Sequence, residues 1–145
     1  MVKFEQLIST LMFSILRYSI LISIIAFTFI FMFTFYRIYT NVKEITIMAT
    51  NVIGKEPVPS LIDYYQSIYC VPDDKSRVIW AIGQIADDQA LPFLYEIEKK
   101  SSCSEYKENE FQPDYEICYE TRKAIKWCTT GNATSWMYNN RINWH

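Results

Sequence analysis

Asp87 and Asp88 stand side by side in "AIGQIADDQALPFL", residues 81–94, between two apolar stretches. Two carboxylates can share acid and base work when their side chains converge on one substrate. Neighbours on a helix or turn point in different directions, so this pair reads instead as a turn between two helices, with Asp88 capping the second. Asp73 and Asp74 follow Pro72 in the same manner, before a helix starting near Lys75. They too read as capping residues, and negative charge there suits the helix dipole. The single histidine is His145, the last residue, which is a poor place to position a base or to anchor a multi-histidine metal site. Three glycines in 145 residues leave no phosphate-cradling loop. The expectation is therefore a protein without catalytic, cofactor-binding or metal-binding residues. An enzyme would need carboxylates brought together in a pocket.

Charge is distributed unevenly. Residues 101–120 carry Glu105, Glu108, Glu110, Asp114, Glu116 and Glu120 against Lys107 alone, a net of −5, whereas residues 121–145 carry Arg122, Lys123, Lys126 and Arg141 and no acid. A solvated loop followed by a basic helix face explains this pattern. Alternatively, the loop meets a partner protein with a basic surface, where complementary charge speeds encounter and fixes register. A net charge of −2 and an acidic dominant patch argue against nucleic acid. In the tail "WMYNNRINWH", Trp136, Tyr138 and Trp144 either pack as a last helix or form an aromatic binding patch. Asn132-Ala133-Thr134 fits a glycosylation sequon placed at a helix–helix turn.

The elements that must position these residues fall into two parts. Tyr18 to Tyr36 is an uncharged run of 19 residues bounded by Arg17 and Arg37; as a helix it covers roughly the 30 Å core of a bilayer. Phenylalanine recurs at every second position from Phe27 to Phe35, a strand-like period. A lone strand leaves its backbone unsatisfied in lipid, so the run is read as a helix and an uncleaved signal anchor. Lys3 and Arg17 before it are balanced by Arg37 and Lys43 after it, so charge does not orient the span. All four cysteines, Cys70, Cys103, Cys118 and Cys128, follow the span. Disulfides persist in oxidising compartments, which places the C-terminal part in the periplasm or outside the cell and the span in the inner membrane. Cys118 and Cys128 are ten residues apart on one predicted helix, about 15 Å along its axis and too far to bridge. Cys103–Cys118 is the favoured bond, because the two flank the acidic loop at the same end of neighbouring antiparallel helices and would staple it. Cys70–Cys128 would then be the second, although the predicted helices put those two at opposite ends.

After the span, residues 39–58 read as a juxtamembrane helix with Ile45, Ile47, Met48 and Val52 apolar, ended by Gly54 and Pro57. From Pro59 to His145 apolar residues recur every three or four positions: Leu61, Ile62, Tyr65, Ile68, Tyr69; Val78, Ile79, Ala81, Ile82, Ile85; Leu91, Leu94, Tyr95, Ile97. The fold class is all-α, with a membrane anchor at 1–38. Residues 78–90 match 121–133 at Ala81/Ala124, Ile82/Ile125 and Ala90/Ala133, and 59–70 match 92–103, which suggests an internal repeat.

"RVIWAIGQIADDQALPFLYEIEKK", Arg77 to Lys100, resembles one HEAT-like repeat of the kind also found in phycobilisome-lyase families. Its first helix ends in Ala-x-Gly-x-Ile, an Asp-containing turn follows, and Ala-Leu-Pro-x-Leu opens the second helix. In such a unit Ala81 and Gly83 let helices approach closely, and Pro92 sits in a first turn where no donor is needed. The second unit has Lys126 in place of the glycine. The resemblance implies a small solenoid that binds protein rather than performing chemistry. The expected function is a membrane-anchored protein-binding module, most specifically an immunity-type inhibitor that neutralises a toxin. The alternative is an accessory scaffold subunit of a membrane complex. A pilin-like subunit, suggested by Glu5 ahead of the apolar run, would need a preceding glycine and strands in its head.

Overall fold

The computed structural model describes residues 2–101, 103 and 113–138. Among them there are helices and turns and no strand. Five α-helices follow one another: α1 (Val2–Ile53), α2 (Pro57–Gln66), α3 (Pro72–Ile85), α4 (Leu91–Lys100) and α5 (Pro113–Thr130). A 3-10 turn at Asp88–Ala90 leads into α4, and a second at Ser135–Tyr138 follows α5. The chain divides into two compact units, residues 1–38 and 39–145.

In the first unit α1 is long and apolar enough to cross a membrane. Three of its hydroxyls are satisfied within the helix: Ser23, Thr28 and Thr34 donate to the carbonyls of Ser19, Ile24 and Ile30, each at 2.9 Å. These internal bonds remove the cost of carrying a hydroxyl in an apolar setting. The alternating phenylalanines resolve into ridges. Phe27, Phe31 and Phe35 lie four apart on one helix face, with ring centroids 6.5 and 4.4 Å apart, as i,i+4 spacing dictates.

The second unit begins inside α1. Val42, Ile45, Thr46, Ala49 and Thr50, spaced three and four apart, are buried in its core, so this stretch is a core helix rather than a spacer. Its buried stripe differs from the one read in the sequence, because Val52 faces solvent and the small residues Ala49 and Thr50 face inward. Gly54 ends α1 at φ 76°, donating to Thr50 O at 2.7 Å. This is the left-handed position that glycine occupies without a Cβ penalty. Pro57 and Pro72 open α2 and α3 in first turns, and Pro92 does the same in α4, where their missing N–H has no intrahelical partner to lose.

Each residue of the apolar stripe read on α3 is buried, namely Val78, Ile79, Ala81, Ile82 and Ile85, while Trp80 is half-buried. On α4 the core positions are Phe93, Leu94 and Ile97, and Tyr95 points outward. The main packing in this unit is α3 on α5, followed by α4 on α5. At Gly83 the two helices approach so closely that an added Cβ would stand 2.9 Å from both the Cα and the Cβ of Ala124 and 3.1 Å from the Trp127 ring. The glycine of the repeat-like motif therefore serves the contact between α3 and α5.

Candidate functional site

The acid pairs lie at the two ends of α3. Asp87 caps the 3-10 turn: its Oδ1 accepts from the Gln89 N–H at 3.1 Å and its Oδ2 from Gln89 Nε2 at 2.8 Å. The cap is Asp87 and not Asp88, which is exposed one position later. The turn begins one residue earlier than expected because a 3-10 segment precedes α4. Asp73 and Asp74 lie inside the first turn of α3, whose N-cap is Val71 with no side-chain cap bond. Asp74 pairs with Arg77 at 3.1 Å. Both acids still suit the dipole without capping anything. Among the described residues no three His, Cys, Asp or Glu side chains gather as a metal-holding group.

Cys103 and Cys118 form a disulfide with Cα atoms 5.3 Å apart. It ties the end of α4 to α5, and the Arg122 guanidinium on α5 donates to the Cys103 carbonyl while lying 3.9 Å from Glu98. The segment this bond closes carries Glu105, Glu108 and Glu110, which lie outside the described residues, as do the side chain of Asp114 and all of Trp144 and His145. Glu116 is exposed on α5. Cys70 and Cys128 are not a second bond: both are free and buried. Cys70 precedes the N-terminus of α3, near Asp74 and Lys75, whereas Cys128 lies beside Asp87 and Asp88 past its C-terminus. A helix of 14 residues holds those places about 20 Å apart, far beyond disulfide reach. Burial pushes the Cys128 thiol up to about 11, with the Asp87 and Asp88 charges adding to it. Burial and then Asp74 raise Cys70, with Lys75 opposing. Both shifts favour the protonated thiol over the nucleophilic thiolate.

The C-terminal aromatics separate. Tyr138 is 1% exposed, its ring stacked 6.2 Å from that of Tyr39, so it is a core residue rather than a contact for a partner. Trp136 is 65% exposed and its Nε1–H donates to the Ala133 carbonyl at 2.8 Å. The sequon asparagine is engaged: Asn132 Nδ2 donates to the carbonyls of Gly83 at 3.0 Å and Gln84 at 3.3 Å, and its Oδ1 accepts from the Thr134 and Ser135 N–H groups. Thr134 completes the link by donating to Gln84 Oε1.

One surface was not legible in the sequence. Ile68 and Tyr69 fit the apolar periodicity of α2 and were expected in the core, but α2 stops at Gln66. The Ser67 hydroxyl donates to Tyr64 O at 2.7 Å and accepts from the Tyr69 N–H at 3.2 Å. Tyr64 OH, raised in pKa chiefly by burial, donates back to Tyr69 O at 3.2 Å. These bonds fix a tight loop that plugs Cys70 inward and leaves Ile68 92%, Tyr69 64% and Val71 53% exposed. The available signal was Ser67, a residue whose hydroxyl competes for backbone groups, five positions before a helix-opening proline. Compared with protein-family models, with curated proteins and with solved structures, the chain matches none.

Proposed function

We propose that this chain is a non-enzymatic, membrane-anchored module that binds another protein. The observation that carries the reading is the α2–α3 loop, where hydrogen bonds hold Ile68 and Tyr69 out in water on a rigid support. Pre-organised apolar and aromatic anchors cost little ordering entropy on binding, which is what a docking surface requires. In this proposal α1 spans the inner membrane through residues 18–36, and the Cys103–Cys118 bond favours the oxidising, periplasmic side for the second unit. The Arg77–Lys100 segment is taken as a HEAT-like helix pair, in keeping with a scaffold that presents loops. The most specific form is an immunity-type inhibitor that meets an incoming toxin at the membrane, with the acidic residues 105–116 offered to a basic partner surface.

A photoactivatable phenylalanine analogue at position 68, in the full chain in its own cells, should give one discrete cross-linked product. Ile68→Asp should abolish that product and, with it, rescue from the toxin identified by it. No adduct at 68, together with full activity of Ile68→Asp, sinks the reading. The accessory-subunit alternative separates when residues 1–38 are replaced by a cleavable export signal: neutralisation survives, whereas assembly into a membrane complex is lost.

A further inference from the structure

We infer that the Ile68–Tyr69 turn is a knob that enters a concave apolar pocket on a different protein, with Ile68 as the inserted side chain. The inference rests on the docking reading above and names the kind of surface that meets the loop. Ile68 and Tyr69 are the central residues of a turn in which the Cys70 N–H reaches Ser67 O at 3.4 Å. Ile68 is 92% exposed while Cys70, two residues on, is buried, so the tip projects from its support. Val71 and Pro72 continue the apolar surface, and both are exposed.

The backbone of the turn is already engaged. The N–H groups of Ser67, Tyr69, Cys70 and Asp74 bond to Tyr64 O, Ser67 Oγ, Ser67 O and Val71 O, the Tyr69 carbonyl accepts from Tyr64 OH, and Pro72 has no N–H to offer. A partner that adds a strand needs a row of free backbone groups, so recognition here falls to side chains. Charge beside the tip cancels. Asp73 and Asp74 are matched in number by Lys75 and Arg77, with Asp74 3.1 Å from Arg77 and the Lys75 ammonium 5.2 Å from the Tyr65 ring centroid. The partner surface therefore complements the tip in apolarity rather than in charge. Size and shape argue against a second copy of the chain. Three side chains at the exposures of Ile68, Tyr69 and Val71 present on the order of 400 Å², about half of the ~800 Å² that each partner contributes to a stable interface. Two convex tips meeting in a symmetric pair touch over less than that. A pocket takes in the whole tip and adds its own rim to the buried area, the arrangement in which a few anchor residues carry most of the binding energy.

The test starts from the full chain carrying the photoactivatable phenylalanine analogue at position 68. Irradiated in its own cells, it should join one other protein, and sequencing of the adduct should place the attachment among apolar side chains of that protein. The joined protein, purified, is then titrated against the detergent-solubilised full chain with each of three substitutions. Ile68→Val should weaken binding about fourfold and Ile68→Ala by more than about tenfold, for the loss of one and three buried carbons. Ile68→Trp should weaken it as well, because a pocket matched to isoleucine has no room for an indole, whereas a flat contact would hold the larger ring more tightly. Ile68 makes almost no contact with the fold, so these variants keep the wild-type thermal transition and lost binding is separated from lost folding. Equal affinity across the series, or tighter binding by Ile68→Trp, overturns the pocket and leaves the docking reading standing. Attachment to phospholipid or to a second copy of the chain overturns both. Absence of any adduct defeats the inference, and the docking reading with it when Ile68→Asp keeps full activity.

Discussion

Of the three glycines, Gly83 alone has no room for a side chain, and its missing Cβ is what allows α3 to lie against Ala124 and Trp127 of α5. Gly83→Ala places a methyl 2.9 Å from a backbone atom that cannot rotate away, and the expected loss is about 1–3 kcal/mol of unfolding free energy in a denaturant titration. At the neighbouring turn the two aspartates should behave unequally. Asp87→Ala removes the cap on Gln89 and should cost about 1 kcal/mol, whereas Asp88→Ala should stay within about 0.5 kcal/mol. Equal effects would show that Asp87 does not cap. The Cys128 thiol gives a pH signature. Its folded value of about 11 lies above the ordinary 9.0, so between these values the unfolded chain has released a proton that the native chain still holds. Stability is thus unaffected below pH 9 and falls as pH rises from 9 to 11, a fall that Cys128→Ala should diminish. At pH 8 the native protein should resist alkylation at Cys128 and react only once denatured.

At the scale of elements, α5 is fastened at both ends. Cys103–Cys118, with a sequence separation of 15, ties its first half to the end of α4. Chain-entropy arguments for a loop of that size put the loss on reduction at about 3 kcal/mol, readable as a lowered denaturant midpoint in the presence of reductant. Beyond its C-terminus, Asn132 bridges to the last turn of α3. Asn132→Ala strips a partner from two backbone N–H groups of the following turn and should cost about 1–3 kcal/mol. Because that amide is occupied, expression through a eukaryotic secretory pathway should yield a chain without a glycan at Asn132; a shift on deglycosylation would show that the bridge opens. The end of α2 illustrates how a local bond overrides periodicity: the Ser67 hydroxyl takes the Tyr64 carbonyl, and two residues that fit the apolar stripe emerge on the surface.

At the scale of the whole molecule, each of the two units obeys a different rule. Residues 18–36 are uncharged around the full helix, with the hydroxyls of Ser23, Thr28 and Thr34 bonded to the helix backbone, and this needs no tertiary partner. Residues 39–145 bury one face of every helix, including the last four turns of α1, so truncation should respect that division. A chain starting at Arg37 should fold, with a cooperative thermal transition, because it keeps Val42, Ile45 and Ala49. One starting at Pro57 should lose that transition, since the five buried side chains Val42, Ile45, Thr46, Ala49 and Thr50 leave together and truncating Ile45 alone is of a class that costs about 2–5 kcal/mol.

The amino-acid sequence by itself determined the helical class, the long apolar helix, the helix-opening Pro92 and the apolar stripe of α3, because each depends on period, length or local backbone chemistry; Pro57 and Pro72, read as standing outside helices, open α2 and α3. It also favoured Cys103–Cys118, since the two flank the acidic loop at the same end of neighbouring predicted helices, and the structure contains that bond. Tertiary structure decided the rest: that Gly83 opposes Ala124, that Cys70 and Cys128 stay apart at the two ends of α3, that Tyr138 is core while Trp136 is surface, and that Ile68 and Tyr69 stand in solvent. Those outcomes depend on which helix faces which, and an apolar residue in a periodic stripe carries no mark of whether a neighbour will arrive to cover it.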